Sequence, residues 1–160
     1  LGGENFVDEC ALESDLQMSF PDDYVPSSSE RMLLYRELDG LERDEDVEAF
    51  RLRMKDRFGE IPEEGEDLIR VVALRRLGKC LGAEKIFLKA GRMVLYFVQN
   101  EKSAYFESKA FGQCIAYAAM NAHRSNLREA NGRRSMVIQE VRSVKSAVGI
   151  LRLISELQAV

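Results

Sequence analysis

Few side chains in this 160-residue chain could do chemistry, and most lack the neighbours that chemistry needs. Asp22-Asp23 is a carboxylate pair. Two carboxyls held close shift each other's pKa and can divide acid and base work between them. The pair lies between Pro21 and Pro26 with no other ligand type nearby, so turn and capping chemistry accounts for it more simply. His123 is the one histidine. A nucleophile–base pair needs histidine beside a serine or cysteine, with a third group to orient it. Nothing local supplies that set, and a surface or helix-end role is favoured. Gly78-Lys79-Cys80 has the Gly-Lys pair of a phosphate-binding loop. Ala73 stands at its first glycine position, however, and Cys80 where a Ser or Thr must reach magnesium. No catalytic residue, metal site or cofactor site is expected in these residues.

Cys10, Cys80 and Cys114 are an odd, scattered set with no Cys-x-x-Cys spacing. They read as small core residues in a reducing cytosol rather than a disulfide framework or zinc site. The formal net charge of −4 hides an asymmetry. Residues 1–67 hold 21 acidic and 7 basic side chains; residues 68–160 hold 6 and 16. Such a split fits an acidic surface for one partner and a basic surface for another, or two halves that neutralise each other. Arg124, Arg128, Arg133, Arg134, Arg142, Lys145 and Arg152 could follow a phosphate backbone, with Tyr105, Phe106 and Tyr117 stacking on bases. No known nucleic-acid-binding string accompanies them, so a solvated face is the first reading and a DNA-binding module (residues 68–160) the alternative.

The elements follow from periodicity. At 46% apolar, a chain of this length buries roughly 70% of its unfolded surface and supports a core. One domain over residues 1–160 is expected. No stretch approaches the ~18 apolar residues of a membrane span, and no secretory start is visible. The opening Leu1-Gly2-Gly3 reads as a piece of a longer polypeptide. Leu12, Leu16, Met18 and Phe20 alternate with other residues, which predicts a strand over 11–20. Ser27-x-x-Glu30 is a capping box that opens a helix with Leu34, Leu38 and Leu41 on one face and Gly40 near its end. Asp44-Glu45-Asp46 opens a second helix, with Val47, Phe50, Met54 and Phe58 inward and Gly59 as its stop. Pro62 starts a third, running through Leu68, Val71, Val72 and Leu77 to Gly82. Ile86 to Phe97 forms a hairpin across Ala90-Gly91. A helix over about 108–122 turns Phe111, Ile115, Ala118 and Ala119 inward. Asn131-Gly132 joins strands at Leu127–Glu129 and Met136–Val141. Ser143 caps a last helix with Val144, Val148, Leu151 and Ile154 buried. The order βααα–ββαββα predicts an α+β fold: a small, mostly antiparallel sheet with helices against it and a helical N-terminal half.

Three strings go further. Phe20-Pro21-Asp22-Asp23-Tyr24-Val25-Pro26, Arg31-x-x-x-Tyr35-Arg36 and Asp56-Arg57-Phe58-Gly59-x-x-Pro62 agree in type and spacing with one family. With them the chain resembles, from about residue 11 to 157, the C-terminal domain of bacterial transcription-repair coupling factors. That resemblance implies a regulatory domain, itself no enzyme, of an ATP-dependent double-stranded DNA translocase that couples stalled RNA polymerase to nucleotide excision repair. In such proteins this domain docks on the N-terminal region, which is similar to the excinuclease protein UvrB. It covers the surface of that UvrB-like region that recruits UvrA, another protein of the excinuclease, and it restrains the motor. ATP and magnesium belong to the motor domains, and the setting is cytoplasmic. In the family, acids on the helix ending in Asp-Arg-Phe-Gly face arginines of the N-terminal region. Asp56 matches one of these acids, while Arg53 stands where another is expected. Glu48 and Glu60 are then expected to carry more of the docking charge. Phe58, Tyr24 and Tyr35 are expected to pack rather than to touch a partner.

Overall fold

The computed structural model describes residues 6–159. They fall into two compact units: Gln17–Ala73, and the residues up to Leu16 together with those from Leu74 onward. The element order matches the pattern read from the sequence, with five helices and a five-stranded sheet.

The first unit holds α1 (Ser28–Asp39), α2 (Asp44–Phe58) and the start of α3 (Glu63–Cys80). Ser27 caps α1: its Oγ accepts the Glu30 N–H at 3.2 Å, removing one orphan donor of the first turn. The unit's core is Phe20, Val25, Leu38, Phe50, Met54, Ile61 and Ile69, with Val47 and Phe58 half-buried against it. The predicted stripe of α2 therefore faces inward. The Phe20 ring stacks on Tyr35 (5.5 Å) and Phe50 (6.3 Å). At Gly65 a Cβ would lie 2.9 Å from Ile61 and 3.1 Å from Phe20, so α3 approaches this core through a residue without a side chain.

The second unit is built on a sheet of order β1-β2-β3-β5-β4. β1 (Ala11–Ser14) runs parallel to β2 (Ala83–Lys89); β3 (Arg92–Phe97), β5 (Arg133–Gln139) and β4 (Ser125–Ala130) continue antiparallel. Both two-residue turns have both residues at positive φ: Ala90 and Gly91 at 55° and 75°, Asn131 and Gly132 at 56° and 75°. One face of the sheet carries Ile86, Leu88, Met93, Leu95, Met136 and Ile138, all fully buried. The end of α3 reaches that face through Gly78, where a Cβ would meet Ile86 and Cys10. The residue that hinted at a phosphate loop is thus a packing glycine. α4 (Lys109–Met120) and α5 (Val144–Glu156) complete the unit, with a 3-10 turn at Ala104–Glu107 before α4.

Four expectations change. The first strand ends at Ser14 instead of running to residue 20. Ser14 Oγ accepts the Leu16 N–H at 3.0 Å and turns the chain, and Phe20 belongs to the helical core. The last hairpin spans Ser125–Ala130 and Arg133–Gln139; Val141 has left the ladder, and its N–H donates to the Gly91 carbonyl at 2.8 Å. The buried line of α4 is Phe111, Gln113, Cys114, Ala116 and Tyr117, while Ala119 is exposed. Gln113 turns inward because its Nε2 donates to the Ser155 and Leu157 carbonyls at 2.9 Å, closing the end of α5. Cys10 and Cys114 are core thiols, but Cys80 at the end of α3 is exposed. Burial pushes both core thiols up to about 12, which keeps them protonated and inert at neutral pH.

Candidate functional site

The three strings converge within the helical unit, and most of their residues hold one another. Tyr24 donates its hydroxyl to the carbonyls of Gly59 (2.9 Å) and Met54 (3.3 Å). Its ring lies 5.7 Å from Phe58 and 6.4 Å from Phe20. The proline-bracketed loop thereby caps the C-terminal end of α2, whose last carbonyls have no helical donor. Tyr35 Oη accepts the Phe20 N–H at 3.2 Å. Arg31 donates to the Val25 carbonyl at 2.6 Å and the Pro26 carbonyl at 3.3 Å, with Asp22 at 4.0 Å. The expectation that Tyr24 and Tyr35 pack therefore holds, and Gly59 adopts φ +90° at the end of α2.

What the strings leave for solvent is the outer side of α2. Asp56 is exposed and, among the described residues, has neither an ion pair nor a side-chain hydrogen bond. The cations of α2 are all engaged. Arg51 holds Glu66 through two 2.8 Å bonds and reaches Glu48 at 3.5 Å. Arg53 pairs with Glu37 of α1 and lies 5.6 Å from the Phe50 ring centroid. Lys55 pairs with Glu60 at 3.7 Å, and Arg57 pairs with Glu30 of α1. Of the expected docking residues, Asp56 has no partner among the described residues, Glu48 and Glu60 are exposed but lightly paired, and Arg53 is committed to α1.

Sequence reasoning missed two members of this face. Leu52 is 54% exposed, and Glu45 is exposed with no side-chain partner among the described residues. Leu52 was detectable: it falls midway between Phe50 and Met54, so 3.6-residue geometry turns it away from the buried stripe. The Arg53–Glu37 pair was not detectable, because it depends on α1 lying beside α2.

A cavity of about 290 Å³ is lined by Asp15, Leu16, Leu88, Gly91, Val141 and Arg142. Its polar groups are already used, Asp15 accepting the Ala90 N–H at 3.1 Å and Arg142 pairing with Glu140 at 2.9 Å. Among the described residues no group of three or more His, Cys, Asp or Glu could hold a metal, and no helix is long and apolar enough to cross a membrane. Asp22 is 93% exposed and His123 is exposed. In the basic half, Tyr105 and Tyr117 are buried and unavailable to bases, and Phe106 lies under Arg134 at 4.4 Å. Arg124 is spent on the Gln139 and Glu140 carbonyls at 2.8 and 2.9 Å, and Arg133 on Glu84 at 2.9 Å.

Residues 14–108, more than half the chain, match the TRCF domain family. The chain belongs to that family. Curated relatives of this TRCF domain are transcription-repair-coupling factors. The Rickettsia bellii protein is 34% identical over 89 residues, covering 56% of this chain and 8% of the relative. The Escherichia coli K12 protein is 28% identical over 76 residues, covering 46% and 7%. The chain thus matches less than a tenth of the length of these two relatives. The crystal structure of the C-terminal domain of transcription-repair coupling factor superposes with a TM-score of 0.69 at 18% identity, covering 92% of this chain and 96% of that one. The α+β fold of the TRCF domain is the shared feature.

Proposed function

We propose that this TRCF domain is a regulatory brake within a larger ATP-dependent DNA translocase that couples stalled RNA polymerase to nucleotide excision repair. It has no catalytic role of its own. It docks on the N-terminal UvrB-like region of the same protein, masks the surface that recruits UvrA and restrains the motor. RNA polymerase engagement releases it. The observation that carries this reading is the outer side of α2: Asp56 stands exposed and, among the described residues, unpaired, while every cation of the helix is neutralised within its own unit.

Weak contacts are enough for a brake. A tethered domain meets its partner at an effective concentration of order mM. Being shut ~99% of the time then requires an intrinsic Kd of only about 10 μM. Exposed ion pairs of roughly 0.2–1 kcal/mol each suit an interface that must also open.

The test is deletion of this domain from the full-length factor. Basal ATP hydrolysis and capture of UvrA should both rise. If both stay at the level of the intact protein, the brake reading is wrong.

A further inference from the structure

We propose that Leu52 is the apolar anchor of the α2 docking face, and that the surface it meets has a recess for one leucine side chain. This deepens the brake reading and rests on it.

The outer line of α2 runs Glu45, Glu48, Leu52, Asp56, spaced three, four and four residues, so the four stand along one side of the helix. Leu52 is 54% exposed in the middle of that line. Glu45 and Asp56 flank it with no ion pair among the described residues, and Glu48 adds a third carboxylate, lightly paired at 3.5 Å. The neighbouring cations Arg53 and Arg57 are drawn towards α1 by Glu37 and Glu30. What remains is one large apolar side chain with carboxylates before and after it along one line of the helix, in a unit carrying 16 acidic and 8 basic residues. An acidic partner would be repelled by that line, and a flat polar one would leave the leucine wet. A basic surface with an apolar recess answers both, with the buried side chain giving affinity and the carboxylates rejecting wrong partners.

The experiment titrates this 160-residue chain against the separately expressed N-terminal region of the full-length factor, at low and at 0.5 M salt, a level that screens exposed charge strongly. Leu52→Ala keeps a strong helix former at an exposed site, and circular dichroism checks that it folds. It should weaken binding about five- to tenfold, the loss of half a leucine's burial, to a similar degree at both salt levels. Asp56→Arg should weaken binding more at low salt than at high. Leu153→Ala, equally apolar and 47% exposed on α5, should change nothing. If Asp56→Arg weakens binding while Leu52→Ala matches wild type, docking stands and the anchor is wrong. If the wild-type chain does not bind at either salt level, the docking reading itself falls and the anchor with it.

Discussion

Tyr24 shows how much of a recognisable motif is scaffolding. Its hydroxyl serves carbonyls 30 and 35 positions away, at Met54 and Gly59. Tyr24→Phe keeps the ring contacts and removes only these bonds. It should cost about 1 kcal/mol, read as a lower urea midpoint with unchanged slope. That a tyrosine here packs was legible, because prolines on both sides fix a rigid loop that needs an anchor. Which atoms it holds was not, since backbone carbonyls leave no trace in a side-chain pattern. Glu66 makes a second prediction. The Arg51 guanidinium, bonded to it twice at 2.8 Å, holds its carboxyl below the usual carboxylate range. A carboxyl with a lower pKa folded than unfolded adds stability above its unfolded value, near 4.3, and loses it as pH falls through the folded value. Glu66→Gln should therefore cost about 1 kcal/mol at pH 7. In urea unfolding from pH 7 to 3, the difference should close at the acidic end.

At the scale of the element, α2 has two sides made by two kinds of signal. Its buried stripe was legible because Val47, Phe50, Met54 and Phe58 keep helical spacing. Its outer side was half legible. Asp56 came from a string shared with a family, whereas the commitment of Arg53 to Glu37 appears only once α1 lies beside it. The sheet shows a similar division. Asn131-Gly132 announced its turn because both residues accept positive φ, but β1 was overextended because alternation alone does not mark where Ser14 bends the chain. α4 was partly legible: Phe111 is buried as expected and Ile115 and Ala118 partly so, but Gln113 is polar yet buried, and a purely apolar count passed over it and took exposed Ala119 instead. Gly82 supplies the sharpest test of packing in the sheet unit. It sits at φ +87°, and a Cβ there would overlap the ring of Tyr105, which is fully buried and donates its hydroxyl to the Leu81 carbonyl. Gly82→Ala combines backbone strain with overpacking and should destabilise the domain by about 3 kcal/mol or more in urea unfolding.

For the molecule as a whole, charge is what the sequence made plainest. The helical unit carries 16 acidic and 8 basic side chains, and the remainder 11 and 15. Among the described residues the acidic unit leaves Glu45 and Asp56 without ion pairs, while in the other unit Arg124, Arg133 and Arg134 are spent on carbonyls, on Glu84 or against Phe106 and Arg128, Lys145 and Arg152 are exposed. A nucleic-acid footprint needs free cations and open aromatic faces, and Tyr105 and Tyr117 are enclosed. The chain should accordingly show no submicromolar binding to duplex or single-stranded DNA at low salt. Its proposed partner is instead a protein surface of opposite sign. The most direct measurement is the affinity of this chain for the N-terminal region of the full-length factor, by calorimetry across a salt series. The account predicts a saturable 1:1 complex with a Kd of about 10 μM at low salt, weakening as salt rises and weakened further by Asp56→Arg. Absence of saturation at millimolar concentration, or an affinity indifferent to both salt and Asp56→Arg, would contradict it.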